Sequence, residues 1–284
     1  MIVVTGATGQ LGRLVIKALL KTQSASDIVA AVRNPDKAAD LAALGVQVRR
    51  ADYNEPVTLD AAFKGADKLL LISSNELGRR AVQHRAAIDA AKRSGVKLIG
   101  YTSVLRADTS PLGLAAEHRE TEEALRESGI PFVLLRNGWY TENYTQGLAA
   151  ALEHGAILGS AGDGRISSAA RADYAQAAAL AMTRDAQAGR VYELAGDSGY
   201  TLTELAAEVT RQSGKPVEYR NLSEADFKAA LISVGLPEVV AALLSDSSTA
   251  ASKGALFDEG RQLSQLLGRP TTPLTTVVTE ALAA

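Results

Sequence analysis

Two hydrophobic periods alternate along the first half of the chain. Short runs in which nearly every residue is apolar, such as IVVT at 2–5, give way to stretches with apolar residues three and four apart, such as Leu11, Val15, Ala18 and Leu19. Continuous β-branched runs read as strands buried on both faces, and the second pattern as amphipathic helices. The pattern predicts strands at 2–5, 27–33, 46–53, 67–74, 96–104 and 131–140. Between them it predicts helices over 10–22, 36–45, 57–66, 76–95 and 114–129, three of which end at Gly45, Gly95 and Gly129. Six apolar strands separated by helices argue for an α/β fold, a doubly wound parallel sheet with helices on both faces.

The rhythm loosens after Tyr144. A helix over 171–186, a strand over 189–197 and a helix over 201–215 follow, the last with Thr201 or Thr203 as cap and Glu204 near its start. A strand and helices over 217–244 and a closing helix after Pro273 complete the chain. The expected organisation is a first domain over 1–145 and a smaller, mostly helical C-terminal region over 146–284, with elements returning to the main sheet.

The junction of the first strand and helix carries Gly6, Gly9 and Gly12. A helix start presents unpaired N–H groups and a partial positive charge, which together bind phosphate. Gly6 allows a tight turn, Gly9 lets a diphosphate approach the backbone, and Gly12 lets the helix pack closely. Thr8 and Gln10 add polar groups at the same lip. No Gly-Lys-Ser/Thr follows, which excludes the nucleoside-triphosphate loop. The context of strand, glycine turn and amphipathic helix therefore predicts a Rossmann-type dinucleotide site.

Composition narrows the rest. Lys and Arg number 30 against 32 Asp and Glu, a net charge of -2, so no nucleic-acid partner is expected. Cysteine is absent, which removes disulfides, thiolate metal sites and a thiol nucleophile. His84 and His154 lack metal-ligand spacing, and no metal is expected. No run approaches the roughly 20 apolar residues of a membrane span, and no basic segment precedes the first apolar run, so a cytoplasmic location without membrane association is expected.

An NAD site usually carries an acidic residue at the tip of the second strand, for the ribose 2′-OH. Here Arg33 stands there, followed by Asn34 and Lys37. A guanidinium can fork onto a 2′-phosphate that a carboxylate would repel, so the expected cofactor is NADPH. Asp52 is placed to reach the adenine edge. Ser73, Ser74 and Asn75 end the fourth strand, on the side where open parallel sheets bind ligands.

TGATGQLG, Arg33, LRNGWYTENY and YELAGDSGYTLTELA together resemble the NmrA-like branch of the atypical short-chain dehydrogenase/reductases. The resemblance implies cofactor contacts from Gly6, Ala7, Thr8, Gly9, Gln10, Leu11 and Gly12, from Arg33, and from Ser73, Ser74 and Asn75. It also implies contacts from Asn137, Gly138, Trp139, Tyr140, Thr141 and Glu142, and from Ala169, Ala170, Arg171, Ala172 and Asp173.

One family feature is missing. Most short-chain dehydrogenases carry Tyr-x-x-x-Lys on the helix after the fifth strand, but that helix reads LAAEHRETEEALRESG, with neither tyrosine nor lysine. His118 and Glu122 lie one turn apart there, either as an acid–base pair or as structure. A ketone reduced by hydride leaves a strongly basic alkoxide, whereas a quinone leaves a phenolate-like anion with a conjugate acid near ~10. The missing relay is compatible with quinone reduction, and together with the family resemblance it makes NADPH-dependent two-electron reduction of a quinone the expected activity. The alternative is a non-catalytic NADP(H)-sensing regulator. Asn143 and Tyr144 are the candidate catalytic residues, with Trp139, Tyr140 and Tyr101 as aromatic faces for a flat ring. The expected partner is a small-molecule quinone, with a homodimer left open.

Overall fold

The computed structural model describes residues 1–283. Two compact units are present, and they interleave in sequence. The first contains Met1–Asp108, Ala116–Asn137 and Ala172–Glu193; the second contains Thr109–Ala115, Gly138–Arg171 and the chain from Leu194 onward. The division therefore differs from a single boundary after residue 145.

The chain runs β1 (Ile2–Val4), α1 (Gln10–Leu19), β2 (Ile28–Val32), α2 (Ala39–Ala43), β3 (Gln47–Arg50) and α3 (Pro56–Phe63). It continues through β4 (Lys68–Leu71), α4 (Arg80–Arg93), β5 (Leu98–Val104), α5 (Ala115–Ser128) and β6 (Phe132–Asn137). Then come α6 (Glu142–Thr145), α7 (Leu148–His154), β7 (Ala156–Gly159), α8 (Arg171–Thr183), β8 (Val191–Leu194), α9 (Leu202–Ser213) and β9 (Glu218–Asn221). The helices α10 (Glu224–Ser233), α11 (Glu238–Ala251), α12 (Gln262–Leu267) and α13 (Leu274–Ala283) close the described chain. None of these helices is long and apolar enough to cross a membrane.

Seven strands form one sheet in the order β3-β2-β1-β4-β5-β6-β8. The pairings from β3 across to β6 are parallel, with Ile2 opposite both Ile28 and Lys68. Every residue of β1, β2 and β5 is buried, as unbroken apolar strands require, while the edge strand β3 exposes Gln47 and Arg50. On one face Val3, Val29, Leu69, Leu71 and Ile99 pack with Leu59 and Phe63 of α3 and Ile88 of α4. Strand order reverses between β1 and β4, so the loops after these two strands are neighbours at the switch point, where α/β sheets take their ligands.

The helix limits shift where glycine or a cap dictates. The stretch expected to be helical from 76 begins as helix only at Arg80, because Gly78 adopts a left-handed φ of 79°. Gly45, Gly95 and Gly129 are left-handed as expected. In the second unit β7 pairs in parallel with β9, Ala156 opposite Glu218. The four-residue AILG of β7 is too short and too near glycine to show a strand period. A reciprocal box caps α9: Thr201 Oγ1 accepts from Glu204 N at 3.1 Å and Glu204 Oε2 accepts from Thr201 N at 2.7 Å.

A buried charge cluster joins α5 to the sheet. Arg136 donates from Nε and Nη2 to the two Glu122 oxygens at 2.9 and 2.7 Å, and from Nη1 to Glu193 at 2.8 Å. Ser103 Oγ donates to Glu122 at 2.7 Å. Burial opposes charge on Arg136, but its bonds to Glu122 and Glu193 outweigh that and raise its affinity for the proton. Removing Glu122 leaves Arg136 Nε and Nη2 without their acceptors in a dry interior. Glu122→Ala is therefore expected to destabilise the protein by about 3–5 kcal/mol in urea unfolding; a change within error would show that the pair is dispensable.

Candidate functional site

The turn after β1 is built on two glycines with different jobs. Gly6 has φ 57°, a left-handed conformation that side chains resist, and its carbonyl accepts from Gly9 N at 2.9 Å. Gly12 lies in the first turn of α1, where a Cβ would stand 2.7 Å from Ala7 Cα and collide with the Gly6 carbonyl. Its close approach is thus to the turn's own backbone, not to the sheet. Gly9 caps α1 without a side-chain hydrogen bond, and no acid occupies the first turn. Ala7 and Leu11 are buried, while Gly6, Gly9 and Gln10 are exposed and Thr8 is half-buried. This end of α1 can receive an anion on its amides.

Arg13, not singled out from sequence, braces this turn. Its guanidinium donates to the Thr8 carbonyl at 3.2 Å and the Lys37 carbonyl at 2.8 Å, and pairs with Asp40. The same side chain therefore joins the glycine turn to the loop after β2. Arg33 projects from that loop, exposed, with Nη1 2.8 Å from Glu76 Oε1. Gln83 holds the other Glu76 oxygen at 2.6 Å. Asp52, half-buried, accepts from Asn54 N at 2.9 Å through Oδ1 within its own loop.

The loop after β4 rests on buried polar side chains. Ser73 N donates to Thr102 Oγ1 at 2.9 Å, and Arg80 Nε donates to the Ser74 carbonyl at 2.7 Å. Ser74 N donates to His84 Nε2 at 2.9 Å, which places the ring proton on Nδ1, 2.9 Å from Thr121 Oγ1. Ser74 is thus engaged by the framework, while Asn75 is exposed and Ser73 half-exposed. Burial, then the Arg80 charge, lowers the His84 pKa to about 3. Its role was invisible in sequence because a lone helical histidine carries no local signature.

His118 and Glu122 do not pair with each other. His118 Nδ1 lies 2.7 Å from the Tyr101 hydroxyl, and Glu122 belongs to the Arg136 cluster. Tyr101 is fully buried within β5, so it offers no ring to a ligand, contrary to the sequence expectation. Asn137, also buried, ends β6 with its Oδ1 unpartnered.

In the second unit, two of the expected segments form one strap. Thr141 N donates to the Ala169 carbonyl and Ala169 N to the Trp139 carbonyl, both at 3.0 Å. Both Glu142 oxygens accept from Arg171 N, at 2.9 and 3.0 Å, and the Arg171 guanidinium lies 4.8 Å above the Tyr140 ring. Tyr140 is thus held by Arg171. Ala172 and Asp173 belong to the first unit, where Asp173 is fully buried. Trp139, Asn143 and Tyr144 line a cavity of about 400 Å³. Burial there raises the Tyr144 pKa well above its ordinary value, so its hydroxyl stays a donor at neutral pH.

Among the described residues no group of His, Cys, Asp and Glu could hold a metal ion. A family model described as NAD(P)H-binding matches residues 6–185. The chain belongs to this NAD(P)H-binding family. It is 62% identical over 274 residues to quinone oxidoreductase 2 of Escherichia coli, 96% of each chain. The crystal structure of the E. coli NADPH-dependent quinone oxidoreductase complexed with NADPH superposes with a TM-score of 0.97 at 61% identity, covering 99% of this chain and all of that one. Triphenylmethane reductase of Citrobacter sp., complexed with NADP(H), reaches 0.95 at 41% identity over 99% of this chain and all of that one.

His84 makes the scaffold acid-sensitive. The unfolded chain protonates this ring near pH 6.5 and the folded one near 3, so the stability held above 6.5 is lost as pH falls between them. His84→Gln is expected to flatten the fall of the urea midpoint between pH 6.5 and 4; an unchanged slope would remove His84 as its source.

Proposed function

We propose that the protein is an NADPH-dependent quinone reductase. What carries the reading is the acid-free start of α1, which Gly9 caps without a side-chain hydrogen bond, over the Gly6–Gly12 turn, in a chain 62% identical to a quinone oxidoreductase. The reaction is quinone plus NADPH plus a proton giving hydroquinone and NADP+. Bound NADPH supplies the hydride, two electrons with one hydrogen nucleus.

This chain's residues fit that cofactor. The α1 amides take the diphosphate where any side chain at Gly12 would collide with the turn. Arg33 takes the 2′-phosphate, exchanging it for Glu76. The unpartnered Asn137 Oδ1 is a buried acceptor that an amide donor would satisfy. Ser73 and Asn75 contribute from the exposed part of the β4 loop. Asn143 and Tyr144 hold the quinone oxygens, each as a hydrogen-bond donor. The neutral Tyr144 stabilises the forming anion as a donor, and water completes the hydroquinone. No buried relay is required, which agrees with the engagement of His118 and Glu122 in structure.

NADPH oxidation on addition of quinone, followed by the loss of reduced-nicotinamide absorbance, tests the activity; no turnover above the buffer rate would refute it. Arg33→Ala should weaken NADPH about 10- to 100-fold while sparing NADH. Glu76→Gln should tighten NADPH about two- to fivefold by freeing Arg33. Equal effects on the two cofactors would show that neither residue meets the 2′-phosphate.

A further inference from the structure

Among the described helices of the second unit, α10 is the one with no buried residue. Its apolar side chains are nevertheless ordered. Phe227, Ala230, Leu231 and Val234 fall at the spacing of one helical face, and all four line the cavity that contains Asn143 and Tyr144. The face extends about 10 Å along the helix, at roughly 1.5 Å per residue. The lining is open at both elements: Leu158 of β7 is 40% exposed and Val234, at the end of the α10 face, is 73% exposed. Apolar side chains that look into an open cavity leave that surface in water until a ligand covers it.

The cavity's size identifies the kind of ligand. About 400 Å³ falls among pockets that take drug-sized molecules. A bare quinone ring, polar at both ends, would fill a fraction of it and leave the α10 face wet. Asn143 and Tyr144 are sufficient to hold ring oxygens, so the remaining apolar length is suited to a substituent.

We propose that the Phe227–Val234 face of α10 is a binding site for a long apolar substituent on the quinone, an alkyl chain laid along the helix. The assignment of the ring to Asn143 and Tyr144 rests on the quinone reductase reading, while the chain site has its own readout. Hydride transfer to the ring is unaltered by the substituent.

That readout is Trp139, the single tryptophan of the chain and part of the cavity wall. Its fluorescence can be titrated without cofactor, using dimethoxybenzene and the same ring bearing a decyl chain, neither of which is reducible. The decyl probe is expected to bind at least about tenfold more tightly, since even single methylenes are felt in an apolar pocket. Ala230→Phe, which occupies the cavity from a helix with no buried residue, should bring the two affinities together; Leu231→Ser should narrow the gap by a second route. Equal affinities in the unaltered protein, or variants that weaken both probes alike, would overturn the proposal. Failure of the two readings is distinguishable. A protein that reduces unsubstituted benzoquinone yet gains nothing from the chain loses only the α10 site. One whose fluorescence reports the chain but which reduces no quinone loses only the reductase reading.

Discussion

The close approach of α1 to the turn that precedes it is the constraint on which the rest depends. With no side chain at Gly12, the helix backbone comes within contact of Gly6 and Ala7. That contact seats the first turn of α1 against the bend after β1, and Gly6 can complete the bend only because it tolerates a left-handed φ. Arg13 then carries the geometry sideways, from the Thr8 carbonyl to the loop that bears Arg33. The glycine turn, the start of α1 and the loop that bears Arg33 are thereby tied together by one small backbone contact and one guanidinium.

The polar interior of the first unit is committed to holding this arrangement. His84 and Arg80 secure the β4 loop, His118 satisfies the Tyr101 hydroxyl, and Glu122 neutralises Arg136. Each group would be a candidate acid or base if it faced solvent. Buried and mutually bonded, they leave the chemistry to an acceptor that needs little proton assistance. A quinone meets that condition, because its reduced anion is no stronger a base than a tyrosinate. Loss of the tyrosine–lysine relay and choice of substrate are in this account one fact.

Much of this was legible in the sequence. Unbroken apolar strands revealed the parallel sheet, and Gly45, Gly95 and Gly129 marked helix ends because each adopts the left-handed backbone that favours glycine. The spacing of Gly6, Gly9 and Gly12 marked the tight turn between β1 and α1. What escaped was what depends on long-range partners. His84 meets Ser74 across a loop, Arg33 meets Glu76 from 43 positions away, and Tyr101 is hidden because its strand is central. The second unit was harder to read, since β7 is four residues long and the apolar face of α10 is spent on a cavity, a distinction that periodicity does not draw.

The direct measurement is calorimetric titration of the purified protein and of Gly12→Ala with NADPH, with circular dichroism to confirm that both are folded. The account expects saturable, one-site uptake by the unaltered protein and its loss in the folded variant, whose added methyl forces the helix away from the turn. Uptake by Gly12→Ala with unchanged affinity, or none by the unaltered protein, would contradict it.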